Sequence, residues 1–130
     1  MLIKKIMVSL AVLVSLYAND TKMSADDPVI IKSEWTTTEI KALIDETAAA
    51  HGVSAVVMKR IVQCESEYNI DAVNKTSKEY SVGLVQINRL AHPHITVEEA
   101  KDPEFALTFL AKNLAKGKGR MWTCYSKFYG

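Results

Sequence analysis

Residues 61–70 read IVQCESEYNI. The stretch closes a pattern that begins just after Ser54. Val57, Ile61, Cys64 and Tyr68 recur at three- and four-residue spacing, flanked by Met58 and Val62, while Lys59, Arg60, Gln63 and Glu67 fall off the stripe. Such spacing places the apolar side chains on one face of an α-helix. Ser54 is a suitable N-cap, so the pattern predicts a helix from about Ala55 to Glu67. Glu65 borders the apolar face in its last turn. Partial burial there disfavours the charged carboxylate, and so does the partial negative charge of a helix C-terminus. Both effects push its pKa upward. A carboxyl group still protonated near neutral pH can donate that proton to a leaving group. The competing reading is a solvated glutamate at a helix end, a common situation for this residue type.

The neighbouring segments are also mainly helical. Thr37 or Thr38 can cap a helix carrying Ile40, Leu43, Ile44, Thr47 and Ala48 at helical spacing, with Gly52 where a helix should stop. Residues 69–80 (NIDAVNKTSKEY) are rich in turn-forming polar side chains and predict an irregular loop. Residues 81–88 (SVGLVQIN) fit either a short strand or the start of a buried helix. His92-Pro93-His94 is a turn. Thr96 starts a short helix through Ala100, and Asp102-Pro103 starts another carrying Phe105, Leu107, Phe109, Leu110 and Leu114. That helix ends at the GKGR turn, residues 117–120, and MWTCY follows as a final packed segment. The expected fold is mainly α, with at most a short β segment.

The 130 residues suffice for one compact domain with a modest core. A formal net charge of +1 argues against a nucleic-acid binder, which would show a basic excess. The N-terminus has Lys4 and Lys5, then an almost wholly apolar run from Ile6 to Tyr17, then small Ala18 before polar Asn19. This is the layout of a signal peptide over residues 1–18. The apolar run is too short to span a bilayer, which takes about 20 residues, so contact with the membrane is expected only during export. The alternative is a buried or anchoring N-terminal helix. Cleavage after Ala18 leaves 14 basic and 15 acidic residues, a net charge of −1. Residues 19–34 read as a polar linker, and the folded domain as 35–130. Export makes Cys64 and Cys124 a candidate disulfide, worth about 4 kcal/mol in the chain-entropy model for so long a loop. Two free buried thiols are the alternative.

The run ESEYNIDAVN at 65–74, followed by GLVQIN at 83–88, resembles the lysozyme-like lytic transglycosylases of the soluble, SLT type. The later DPEFALTFLA helix and the export signal strengthen the resemblance, which spans roughly residues 37–125. It implies a small α+β lysozyme-like domain that cleaves peptidoglycan between N-acetylmuramic acid and N-acetylglucosamine. Glu65 matches the single catalytic acid/base. Ser66 matches the serine beside it, and Asn74 falls where members often place a polar group facing the sugar. Gln86 matches the glutamine of the Gly-Leu-x-Gln segment, with Asn88 following on the same side. Gln86 and Asn88 can equally serve to satisfy buried backbone groups. The implied partner is the peptidoglycan glycan strand, with a secretion or envelope machinery as a further candidate. The implied site of action is the periplasm or the exterior.

The chain departs from the commoner family pattern. Tyr80-Ser81 stand where a Gly-Ala pair is usual, and Ile70 where a proline is expected. The late Ala-Tyr-Asn-Ala-Gly motif, whose tyrosine normally hydrogen-bonds the catalytic glutamate, is missing. Trp122 and Tyr125 are the candidates for that role, with Tyr125 preferred. Simple core packing is the other reading of both. A hydrolysing lysozyme (muramidase) of the animal type would carry an aspartate before the tyrosine and glycine of its Gln-Ile-Asn segment. Here Tyr80-Ser81-Val82-Gly83 has no carboxylate, and Glu79, the nearest, is expected in a mobile loop. That favours the transglycosylase over the muramidase, and Glu65 itself weighs against a non-catalytic peptidoglycan-binding module. His92 and His94 lack a third ligand at a sensible spacing, so no metal or other cofactor is expected.

Overall fold

The structure, a computed structural model, describes residues 34–130. The signal-peptide reading and all but the last residue of the linker reading lie outside the described residues. Helix α1 spans Thr37–His51 and is capped by Thr36 rather than by Thr37 or Thr38. The choice among three consecutive threonines is made by Glu39. Only Thr36 stands three residues before it, so the hydroxyl of Thr36 accepts from the Glu39 N–H while the Glu39 carboxylate accepts from the Thr36 N–H. Gly52 ends the helix in the left-handed conformation. Helix α2 spans Ala55–Ser66, capped by Ser54, and stops one residue before the expected end because Glu67 turns left-handed at φ 52°.

A three-stranded antiparallel sheet follows, β1 Val73–Lys75, β2 Tyr80–Val82 and β3 Ile87–Asn88, in the order β1-β2-β3. Two of these strands begin inside the segment expected to be an irregular loop. β1 was not legible because all three of its residues are exposed, so it shows no alternation of apolar and polar positions. Residues 81–88 take the strand alternative in part, as β2, a tight turn and then β3. Helix α3 spans Val97–Lys101, α4 Pro103–Ala115, a 3₁₀ turn Gly119–Met121, and α5 Thr123–Tyr129. The domain is therefore mainly helical with a small sheet, the lysozyme-like class.

The core is built from Ile40 and Ile44 of α1, Met58, Ile61 and Val62 of α2, and Leu107 and Leu110 of α4, closed by Leu84, Val85 and Ile87. The buried line on α2 runs Met58, Ile61, Val62 and Ser66, while Val57, Cys64 and Tyr68 are half-buried flanks. The stripe is thus rotated by one position from the sequence expectation. The rotation brings Glu65 beside the buried face and takes Ser66 into it. Gly83, at φ 84°, lets the β2–β3 turn lie directly against α3, since a Cβ there would collide with the Ala100 carbonyl.

Candidate active site

Glu65 sits at the C-terminal end of α2, half-buried, in a cleft of about 360 Å³. Four parts of the chain build the walls. Glu65 comes from α2, and Thr76, Lys78, Glu79 and Ser81 from the first hairpin. Gln86 and Asn88 come from the turn and β3, and Met121, Trp122 and Thr123 from the C-terminal segment. A second hollow of about 260 Å³ shares Gln86, Asn88, Met121 and Trp122 and extends the cleft toward His92 and Phe109. Its wall is aromatic: the His92 and Phe109 rings meet edge-on at 5.2 Å, and those of Phe109 and Trp122 at 5.9 Å. Trp122 is held by its indole N–H, which donates to the Val85 carbonyl at 2.7 Å. A larger cavity of about 550 Å³ lies along the side of α2 that carries Val56, Lys59, Arg60 and Gln63, and Glu65 does not line it.

The pKa of Glu65 is raised above the ordinary 4.5 by burial. The backbone N–H of Cys124, which donates to Oε1 across a long 3.4 Å, works against that rise, and the negative charge of Glu79 adds to it. Cys124 lies in the first turn of α5, where N–H groups have no intrahelical partner and the helix end is partly positive. The carboxyl of Glu65, near the end of α2, thus also meets the first turn of α5. Cys124 is held there by its disulfide to Cys64, with Cα atoms 6.0 Å apart. The sequence-expected hydrogen bond from Tyr125 is not formed. A backbone donor one residue earlier takes that place, while the Tyr125 ring covers Gly119 and lies 5.1 Å from that of Tyr129.

The structure brings Gln86 and Asn88 into the cleft with Glu65 and leaves Ser66, Asn74 and Tyr125 out of its lining. The Gln86 amide donates to the carbonyls of Ala72 and Gly83 at 3.1 and 3.0 Å, which leaves Oε1 as its open polar atom. The Gln86 backbone is left-handed at φ 52°, unusual for a residue with a side chain. Asn88 does the reverse. Its Oδ1 accepts from the N–H groups of Tyr80 and Leu90, each at 3.1 Å, and its amide N–H₂ is left open. Ser66 is buried, and its hydroxyl lies 2.7 Å from the Leu84 carbonyl, tying the end of α2 to the β2–β3 turn. Asn74 is exposed on β1 and donates to Glu79 at 3.4 Å.

Glu79 differs most from the sequence expectation. It is half-buried immediately before β2, and its Oε1 accepts from the Ser81 hydroxyl at 2.7 Å. The cleft therefore holds two carboxyl groups. The signal that could have found the second is the spacing Asn74…Glu79…Ser81 once a hairpin is assumed, but nothing in residues 69–80 announces the hairpin.

The sequence matches the family model of the transglycosylase SLT domain over residues 42–127. The chain belongs to this family. The SLT match begins within α1 and runs through most of α5, so it includes every wall of the cleft. A search of curated proteins finds no match. SLT domains are glycosidic-bond lyases as a family, with peptidoglycan as the substrate class.

Proposed function

We propose that this SLT domain is a peptidoglycan lytic transglycosylase in which Glu65 alone transfers the proton. Protonated Glu65 gives its proton to the glycosidic oxygen between N-acetylmuramic acid and N-acetylglucosamine. The C1–O bond breaks, its electron pair leaves with that oxygen, and the carbonyl oxygen of the 2-acetamido group bonds to C1. Ionised Glu65 then takes the proton of the sugar's own C6 hydroxyl. O6 bonds to C1 as the acetamido oxygen leaves with its electron pair. The product is a 1,6-anhydro ring, no water is consumed, and Glu65 is protonated again. Most glycosidases need a second carboxylate as nucleophile or base; in this scheme the substrate supplies the nucleophile.

The observation that carries the reading is Glu65 itself: a half-buried carboxyl with raised proton affinity lining a four-walled cleft. The open acceptor of Gln86 and the open donor of Asn88 support it, since together they complement the N–H and C=O of an acetamido group. The disulfide suits an oxidising compartment. No helix among the described residues is long and apolar enough to cross a membrane, and export to the periplasm or beyond is part of the proposal. The test is digestion of purified sacculi with product masses read by spectrometry. Anhydromuropeptides are expected, and Glu65→Gln should abolish them. Hydrated, reducing-end products would make the protein a muramidase, the reading that Glu79 in the cleft favours. Full function in Glu65→Gln would leave only a binding module.

A further inference from the structure

Asn74 and Ser81 are paired residues of the antiparallel strands β1 and β2. Their side chains converge on one carboxylate. Ser81 donates to Glu79 Oε1 at 2.7 Å, and the Asn74 amide donates to Oε2 at 3.4 Å. The backbone carbonyl of Glu79 also accepts from the Thr76 N–H at 2.8 Å, which closes the hairpin loop. Ser81 is only 2% exposed, and the one side-chain hydrogen bond it makes is to Glu79. A cross-strand pair spent on a single side chain is a positioning device. The side chain it positions lines the same cleft as Glu65.

Resting on the transglycosylase reading of Glu65, we infer that Glu79 is a second catalytic carboxylate, a fixed negative charge facing the cationic sugar formed as the glycosidic bond breaks. When acetamido oxygen bonds to C1, positive charge spreads over the ring formed by C1, that oxygen and the amide nitrogen, and the amide N–H becomes more acidic. A carboxylate beside it stabilises this state more than the neutral substrate, as differential binding requires. Both Glu79 oxygens accept hydrogen bonds, which hold the carboxylate in place. Glu79 forms no covalent bond and moves no proton, so the reaction balances as before. The charged side chains lining the cleft around it are Glu65 and Lys78.

Kinetics of Glu79→Gln on sacculi test the inference. The variant keeps an acceptor for Ser81 and loses the charge. The expected result is a fall in kcat of about 100-fold, in the range seen when one electrostatic partner of a charged transition state is removed, with KM nearly unchanged. Glu79→Asp should recover part of the loss. The pH profile supplies a readout that a structural role would not move. Activity falls with rising pH as Glu65 ionises, and Glu79 raises the pKa of Glu65, so the basic limb of Glu79→Gln should move to lower pH. Should Glu79→Gln fail to fold, Ser81→Ala gives a second test: the charge stays but loses its 2.7 Å anchor, so kcat should fall by less than the loss expected for Glu79→Gln, with KM preserved. Wild-type kcat in these variants, or a loss confined to KM, overturns the inference while leaving Glu65 untouched. A wild-type protein making reducing-end products that vanish in Glu79→Gln overturns it in favour of a general base. A wild-type protein with no glycan-cleaving activity overturns the transglycosylase reading and this one together.

Discussion

The backbone N–H of Cys124 donates to Oε1 of Glu65, and the sulfur of the same Cys124 is bonded to Cys64, the residue before Glu65. One hydrogen bond and one covalent bond thus join the end of α2 to the start of α5 at adjacent positions. Trp122, the N-cap of α5, gives that helix no side-chain capping bond. The Glu65 carboxyl supplies a partner to one of the N–H groups left open there. In the family pattern, by resemblance, a tyrosine hydroxyl reaches the catalytic glutamate. In this chain the disulfide presents a peptide N–H instead.

Replacing both cysteines with serine should therefore change stability and chemistry together. A 60-residue separation corresponds to a loss of about 4 kcal/mol in the chain-entropy model, a large part of the stability of a small domain. Calorimetry should show a markedly lower Tm than the oxidised protein. The start of α5 would also loosen, and the N–H that lowers the pKa of Glu65 would be less firmly held. The basic limb of the activity profile should shift to higher pH, opposite in sign to the shift expected for Glu79→Gln.

Glu65→Gln should stabilise the fold while abolishing activity. The folded-state pKa of Glu65 lies above the ordinary 4.5, so the folded protein holds this proton more tightly than the unfolded chain. The stability linked to it is fully present below 4.5 and is lost as pH rises through the folded pKa. Glutamine is neutral at every pH and escapes that loss. Tm measured across pH should show the variant above wild type at neutral pH, with the gap closing as pH falls through the folded pKa of Glu65 and closed below 4.5. A gap independent of pH would show that Glu65 is not desolvated.

Ser66→Ala tests whether Ser66 holds the site or touches the sugar. Its hydroxyl meets the Leu84 carbonyl inside the core. Removing it leaves a buried acceptor without that partner, at a cost of about 1–3 kcal/mol. Denaturant unfolding should register the loss. KM for glycan strands should stay within about twofold of wild type well below the new Tm, a smaller change than the roughly 1 kcal/mol carried by one direct hydrogen bond. A large KM rise without destabilisation would return Ser66 to the substrate.

Gly83→Ala should be the more damaging small change. Its φ of 84° disfavours any side chain, and the new Cβ would meet the Ala100 carbonyl. Strain of this kind costs about 1–3 kcal/mol before any collision is counted. Because Gln86 donates to the Gly83 carbonyl and Gln86 N–H does as well, a displaced turn also moves Gln86. Tm and kcat should both fall, and the double variant Gly83→Ala with Ser66→Ala should not be additive, since Gly83 seats the turn on α3 and Ser66 ties the adjoining Leu84 to α2.

Much of this was readable before the structure. Helix limits followed from capping residues and apolar spacing, interactions within three or four residues of one another. Glu65 was legible because its place on α2 is set by the same local geometry. Ser66 was placed by resemblance, and its burial against the Leu84 carbonyl, 18 positions away, is not set by local spacing. Glu79 was hidden because β1 carries no apolar alternation, so the pairing that gives it Asn74 and Ser81 is invisible from composition.

By itself, then, the sequence determined the first four helices, the position of Glu65 on one of them, and which two cysteines were present to join. Those properties are local, or follow from a residue type occurring twice. Only the tertiary structure decided what surrounds Glu65: the α5 N–H that restrains its pKa, the Glu79 charge that raises it, and the Gln86 and Asn88 groups across the cleft. The reason is physical. Desolvation and charge coupling depend on distances through space, and chain spacing sets those only within a few residues.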